Sequence, residues 1–279
     1  MTATRDARRE IETTARSLRA QTDPPHEWLV ADGASGDGTQ ALLETWRDPW
    51  LRWSSHSDSG VYDAWNQVLR GATGDWILFL GAGDVLSSGD TLREAAERLE
   101  GVDWETDLAY GDVDLLNPAD RTALYSFGGP WSAMEGRWKW GLPMVPMHPG
   151  VFHRPGILQG LEPFDTSFRI AADNLLLLRN ILRKKPAYLG LKVAGMPVDG
   201  MSARLSSTAA IDAEFARIRR VLGITPPPTH LLGQFLKVRF KILCQTLLPP
   251  RGADAVLDAA QTIRGLPRRF AAARSGMPG

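Results

Sequence analysis

The residues best placed to do chemistry in this chain are acids that stand where apolar segments begin or end. In "WILFLGAGD" (76–84) an apolar run closes on two glycines and one carboxylate, Asp84. A carboxylate at a strand tip, preceded by small residues, can hold a hard divalent cation beside a substrate. A Gly-Asp pair equally starts a turn, and the residues alone leave both readings open. Asp32 has the corresponding place after "WLVA", just ahead of Gly33, and Asp173 stands just before the apolar run "NLLLL". Asp63 and Asn66, three apart, share one face of a helix, with Asp58 ahead of it as a cap. Asp37 and Thr39 suit loop shaping and helix capping.

Several elements must position these side chains. Ile11, Ala15 and Leu18 at helical spacing predict a helix over 7–20. "WLVAD" (28–32) reads as a strand, "GASGDGT" (33–39) as a flexible loop, and "QALLETW" (40–46) as a helix behind it. "LRWSSH" is a second strand candidate. Val61, Ala64, Trp65, Val68 and Leu69 mark one face of a helix that ends near Gly71 and Gly74. "DWILFL" (75–80) is continuously apolar, as a strand buried on both faces would be. A capped helix at 87–100 and a strand at 107–116 complete a β-loop-α alternation, which implies a mostly parallel sheet flanked by helices. Ligands bind such sheets at the carboxyl ends of their strands, where the polar loops after Val30 and Leu80 fall.

Beyond this, 128–150 is rich in Trp, Gly, Pro and Met without a period and reads as an ordered functional loop or a small irregular subdomain. "VFHR" (151–154) suits a return to the sheet, 170–185 a helix with a basic last turn, 187–204 one or two strands with a Gly-containing turn, and 208–223 a further helix. "TPPPT" (225–229) breaks the chain, which divides it into residues 1–225 and a tail, 226–279.

Composition narrows the classes. Lys plus Arg and Asp plus Glu are 32 each in 279 residues, and a net charge of zero argues against a nucleic-acid binder. Hydrophobic residues at 43% support a sizeable core. The single cysteine, Cys244, excludes an internal disulfide and a multi-thiolate metal site, which suits a reducing cytoplasm. The charged start "MTATRDARRE" does not read as a signal peptide, and no apolar run reaches the roughly 18 residues of a spanning helix.

Four pieces, in order, resemble the family 2 glycosyltransferases, an inverting family with the fold called GT-A. "VADGASGDGT" is similar to the family's nucleotide-binding loop, and "SDSGVYDAWNQVLRGATGDWILFLGAGD" to the helix and strand that lead to its metal-binding acids. "MHPGVFHR" is similar to its acceptor-side strand, and "FDTSFRIAADNLLLLR" to the segment that holds its catalytic base. The likeness spans about residues 4–204. It departs from the pattern twice. Gly83 precedes Asp84 where the family often has a second acid, so one carboxylate must serve. The chain also begins where the family's first strand should be finishing, so residues 1–5 should give at most a truncated strand.

The resemblance implies transfer of a sugar, with inversion, from a nucleotide-sugar donor to a hydroxyl of a glycan or glycolipid acceptor. It implies Asp84 as ligand of Mg²⁺ or Mn²⁺ on the donor diphosphate, Asp32 at the nucleoside, and Asp58, Asp63 and Asn66 along the donor pocket. Asp173 would be the general base. His148 and Arg204 are acceptor or phosphate contacts by the same likeness, with a structural histidine as the other reading of His148. Trp131, Trp138 and Trp140 suit stacking on sugar faces and suit packing equally. The rival from another class is a non-catalytic nucleotide-sugar-binding or scaffold protein. A nucleotidyltransferase would need a Gly- and Lys-rich N-terminal loop that the chain lacks. In the tail, Lys237, Arg239 and Lys241 alternate with bulky apolar residues in "KVRFKI". That pattern fits peripheral contact with a membrane, at the inner face for a cytoplasmic enzyme, or a packed helix with solvated lysines.

Overall fold

The computed structural model describes residues 1–139, 141–160, 162–198, 208–263 and 270, with Gln245 described by its backbone alone. Its elements follow the expected alternation. They are β1 (Thr2–Thr4), α1 (Arg8–Arg19), β2 (Trp28–Asp32), α2 (Thr39–Thr45), β3 (Leu51–Ser55), α3 (Val61–Leu69), β4 (Ile77–Leu78), β5 (Val85–Leu86), α4 (Thr91–Glu100) and β6 (Leu108–Leu116). The irregular stretch resolves into β7 (Ala123–Phe127), the short α5 (Trp131–Met134), the small hairpin β8 (Trp138–Lys139) and β9 (Leu142–Pro143), and a 3-10 turn at His148–Gly150. Then come β10 (Val151–His153), α6 (Ala172–Ile181), β11 (Ala187–Pro197), α7 (Thr208–Leu222), α8 (Pro228–Leu247) and α9 (Pro250–Ile263).

The chain forms two compact units. The first holds Met1–Asp114, Phe127–Ala133 and Val145–Met196. The second holds Leu115–Ser126, Met134–Met144 and everything from Pro197, so the division expected at 225/226 falls within it. In the second unit α8 packs on α7 and α9, and Cys244, Ala253, Leu257 and Phe270 form a small core.

In the first unit β1, β2 and β3 pair in parallel, with Thr4 beside Asp32 and Asp32 beside Ser55. A second path runs β4–β10–β6–β11–β5, and β10 lies antiparallel to both β4 and β6. The strand expected over 75–80 is laddered only at Ile77 and Leu78, because its next bonds go to Met1. The Met1 amine donates to the Leu78 carbonyl at 2.7 Å, and the Leu80 N–H donates to the Met1 carbonyl at 2.9 Å.

Alternation along β4 and β10 sorts the core onto two faces. Leu78, Leu80 and Phe152 join Ile11, Leu18, Leu43 and Leu99 on the face covered by α1 and α4. Phe79 and His153 turn the other way, into an aromatic cluster with Trp65 of α3, His148 and Phe164. α6 is apolar nearly all round, with Leu175, Leu176, Leu177 and Leu178 all buried, as a helix inside a core must be.

β1 is three residues long and pairs with β2 along its length, and Met1 ahead of it bonds to Leu78 and Leu80. Ahead of it, between β2 and β4, lies a groove of about 680 Å³ with Leu18, Trp28, Leu78, Leu92 and Leu99 on its walls. The Met1 amine is buried at this groove, and burial pushes its pKa down to about 5. Four apolar residues added ahead of Met1 should continue β1 along this groove and carry the charged amine away from it. Melting temperature should rise by several degrees, since ~1–2 kcal/mol shifts a domain of this size by about 2–8 °C. The amine binds its proton more weakly folded than unfolded, so the original chain should gain stability as pH rises from about 5 to 8. The extended variant should lose that slope in urea titrations across the window.

Candidate active site

The loops after β1, β2 and β3 converge at the carboxyl ends of the parallel strands, and Asp32 is their anchor. It is buried at the end of β2. Its Oδ1 accepts from the Ser35 hydroxyl, and its Oδ2 accepts from the Ser35 N–H at 3.0 Å and the Ser55 hydroxyl at 2.6 Å. Asp6 joins the β1 loop to this one, its carboxylate accepting from Gly36 N–H and its own N–H donating to Ser35 Oγ. Asp37 accepts from the N–H and hydroxyl of Thr39 and from Arg8 N–H, so it shapes the start of α2.

Asp58 lies across Gly33 from this anchor. Gly33 has no room for a side chain, because a Cβ there would collide with the Asp58 carboxylate and press on Arg5 at 3.3 Å. Half-burial raises the Asp58 pKa, its bond from Gly60 N–H and the Arg5 charge lower it, and Asp63 and Asp32 raise it. Two further carboxylates and the exposed Arg5 therefore act on Asp58 here. Arg5 is the cationic member of this group, and sequence reading had placed it only as the end of a strand.

Asp63 and Asn66 do sit together on α3, and each is committed to shaping the chain. Asp63 Oδ2 accepts from the N–H and hydroxyl of Ser59, a capping arrangement that lowers its pKa. Asn66 is buried, and its amide holds both backbone groups of Phe164: Nδ2 donates to the carbonyl at 2.8 Å, and Phe164 N–H donates to Oδ1 at 3.1 Å.

Asp84 ends the tight turn that follows β4. It is 5% exposed, and its Oδ2 accepts from Gly81 N–H at 2.7 Å. Gly83 carries φ +98°, a conformation that favours glycine. Thr14 of α1, fully buried, fastens the turn: its hydroxyl donates to the Asp84 carbonyl at 2.8 Å and accepts from Gly83 N–H at 3.0 Å. No group of three or more His, Cys, Asp or Glu able to hold a metal occurs among the described residues. A single carboxylate fits a cation whose remaining ligands are substrate phosphate oxygens and water, the usual mode for Mg²⁺.

Asp173, in the first turn of α6, is half-buried. Its Oδ1 accepts from Asn174 N–H at 2.8 Å, from Asn174 Nδ2 at 3.2 Å and from the Tyr62 hydroxyl at 3.0 Å. Burial raises its pKa against the pull of these donors. Tyr62 was not singled out from the sequence. Its signal there was only its place one residue before Asp63.

His148 lies in the core beneath the site, 6% exposed. It stacks on Phe79 at 5.1 Å and lies 5.2 Å from Trp65. Burial, then the nearby Met1 amine, push its pKa down to about 3, so it is neutral across the physiological range. Trp131 is half-buried in α5, and Trp138 of the β8–β9 hairpin packs on His230 at 6.0 Å. Arg204 and Trp140 fall outside the described residues.

The architecture and the strand-end acids define a GT-A glycosyltransferase, and comparison with known proteins gives the family. The model of glycosyl transferase family 2 matches residues 2–154, more than half of the chain, and the chain belongs to that family. Relatives include an uncharacterised glycosyltransferase of Mycobacterium tuberculosis, 29% identical over 212 residues, covering 76% of this chain and 77% of the relative. A "PGL/p-HBAD biosynthesis glycosyltransferase" of Mycobacterium bovis is 34% identical over 161 residues, 56% of this chain and 59% of its own length. Among solved structures, the fold matches S. aureus TarS in complex with UDP at a TM-score of 0.55, with 17% identity and coverage of 99% of this chain and 86% of that one. It also matches a mannosyltransferase of Pyrobaculum calidifontis in complex with GDP-Man and Mn²⁺, at a TM-score of 0.56, 20% identity and coverage of 99% and 77%.

Neutral burial of His148 has a measurable cost in acid. The unfolded histidine titrates near its ordinary value of 6.5 and the folded one near 3, so its contribution is intact above about 6.5 and is lost as pH falls toward 3. At pH 4.5 this amounts to about 2–3 kcal/mol, at about 1.4 kcal/mol per pH unit. His148→Phe keeps a ring against Phe79 and should flatten the fall in urea-unfolding free energy between pH 7 and 4.5 by about that amount.

Proposed function

We propose that this glycosyltransferase moves a sugar from a nucleotide-sugar donor to an acceptor hydroxyl with inversion, with Asp173 as general base and Asp84 on the donor diphosphate. The observation that carries the reading is the state of Asp173: a half-buried carboxylate whose Oδ1 takes three donors and whose pKa burial raises. A base works best with its pKa moved toward the operating pH. The acceptor's proton passes to this carboxylate as its oxygen forms a bond to the anomeric carbon. The bond from that carbon to the nucleoside diphosphate breaks, and its electron pair leaves with the diphosphate.

Asp84 is the residue to hold Mg²⁺ or Mn²⁺. Such a cation supplies charge neutralisation to the departing diphosphate. Thr14 keeps the Asp84 turn in place, and a side chain at Gly81 would press on the Asp84 carboxylate at 3.1 Å. Asp32 and Asp58, on either side of Gly33, offer acceptors to a base or ribose, with Asp63 and Asn66 holding the adjacent wall. Arg5, beside Asp58, is the cation available to the phosphates. Structures of similar fold were solved with UDP and with GDP-Man and Mn²⁺, which supports a nucleotide-sugar donor.

The two acids should fail differently. Asp84→Asn should weaken nucleoside diphosphate binding and abolish its Mn²⁺ dependence. Asp173→Asn should bind nucleotide nearly normally and lose turnover by roughly 10²-fold or more. Calorimetry with UDP and GDP, with and without Mn²⁺, separates them. Wild-type turnover in Asp173→Asn removes the base from this position, and normal Mn²⁺-dependent binding in Asp84→Asn removes the cation from that one.

A glycolipid acceptor and a peripheral membrane contact belong to the same proposal, supported by the surface of α8. Leu232, Phe235, Leu236, Leu243 and Leu247 are each more than half exposed, and their spacing sets them along one stripe of the helix. Arg239 lies in that stripe over the Phe235 ring at 5.0 Å, and Lys237 is exposed. No helix among the described residues is long and apolar enough to cross a membrane, so the stripe fits a helix lying in the interface. The chain should co-sediment with vesicles containing phosphatidylglycerol at low salt, and Leu232→Glu with Phe235→Glu should return it to the supernatant. Sedimentation unchanged by the double substitution would exclude this surface.

A further inference from the structure

Asp173 reaches across 111 residues of sequence to a side chain that the proposed chemistry has not yet used. Tyr62 is 5% exposed on α3, and its ring is fixed from two sides. It stacks on Phe164 with centroids 5.7 Å apart and planes at 20°, and it meets Trp65 edge-on at 5.8 Å. One turn further along the same helix, Asn66 grips the N–H and C=O of Phe164, so the ring that Tyr62 stacks on cannot drift from α3. The phenol is therefore held where its O–H meets Asp173 Oδ1 at 3.0 Å.

Packing alone does not ask for this hydroxyl. A phenylalanine would satisfy the stacking on Phe164 and the edge contact with Trp65. The oxygen adds a donor to a half-buried carboxylate, and donors to the charged form favour it. Three of its donors, the Tyr62 hydroxyl and the backbone and side-chain amides of Asn174, converge on Oδ1, and its own backbone N–H also favours the charged form. Two of the three come from Asn174, the next residue in the same helix, and move with Asp173. Among the described residues, Tyr62 is the side chain that ties the carboxylate to another element.

We propose that Tyr62 is a positioning residue for Asp173: its hydroxyl, held by the ring packing of α3, orients the carboxylate toward the acceptor. This rests on the reading of Asp173 as the base. Among the described residues, the groups that act on the carboxylate include the Tyr62 hydroxyl from α3 and, from its own helix, the Asn174 amide groups and the Asp173 backbone N–H. Burial raises its pKa against the pull of these donors. Removing the phenol should raise it further.

The test is Tyr62→Phe, with 2,3-difluorotyrosine at position 62 as a second variant of stronger donor strength and opposite expected sign. Carboxyl ¹³C NMR of aspartate-labelled protein reads the Asp173 titration without substrate. The Asp173 pKa should move up by about one unit in Tyr62→Phe and down in the fluorinated chain. The acid limb of turnover, measured with a donor that binds in calorimetry, should shift in the same directions. Turnover below that limb should fall about tenfold in Tyr62→Phe while KM for the donor stays within about twofold. An unshifted Asp173 titration in both variants, or an unshifted acid limb with full turnover in Tyr62→Phe, overturns the proposal and leaves Tyr62 a packing residue. Failure of the underlying reading looks different: Asp173→Asn would then transfer sugar at the wild-type rate whatever Tyr62 does.

Discussion

The double hydrogen bond between the Asn66 amide and the Phe164 backbone is the contact on which the acidic side of the site depends. It joins a helix formed early in the chain to the segment that leads into α6, 98 residues later. A buried amide that loses both partners costs about 1–3 kcal/mol for each group left unmade, so the pair is held to one geometry. Phe164 then offers its ring to Tyr62 and Trp65, and through Tyr62 the position of Asp173 is set from α3. Asp173 and the acid-bearing face of α3 belong to one framework because one side chain satisfies one backbone segment.

A second constraint is electrostatic. Asp32, Asp58 and Asp63 crowd the carboxyl ends of the parallel strands with Arg5 as the nearby cation. Like charges this close are tolerated because hydroxyl and amide donors occupy much of their lone-pair capacity. Ser35 and Ser55 hold Asp32, Gly60 holds Asp58 and Ser59 holds Asp63. The arrangement is preorganised to meet polar and cationic groups, and it spends its own loops to stay in place. Asp84 is held from another element. Thr14 reaches out of α1 to fix its turn, so the helix opposite β5 sets the position of the one acid that follows β4.

The aromatic face of the sheet explains why His148 belongs to the core. Phe79 and His153 alternate away from Leu78, Leu80 and Phe152, so the 3-10 turn that carries His148 closes over a layer of rings. In that layer a charged imidazole would have no solvent, and neutrality follows from burial. The histidine that by family likeness stood near the acceptor thus serves, in the fold, as a stacked ring under α3.

By itself the sequence determined the elements and the places where acids leave them. The 3.6-residue spacing of Ile11, Ala15 and Leu18 marks the buried face of α1, and the apolar run "WLVAD" marks β2 with Asp32 at its end, because local periodicity and short-range turn chemistry decide both. Four ordered motifs carried the family, since residues at strand ends keep their order along the chain whatever they touch. The partners of those acids belonged to tertiary structure. Nothing in the neighbourhood of Tyr62 or Asn66 announces Asp173 or Phe164, because those contacts join segments about a hundred residues apart and arise only when α3 and α6 meet over the same rings. The tail shows the same division: "KVRFKI" allows a strand or a helix by pattern, and only packing against α7 and α9 made it a helix, burying Val238 and Cys244 and leaving the stripe from Leu232 to Leu247 exposed.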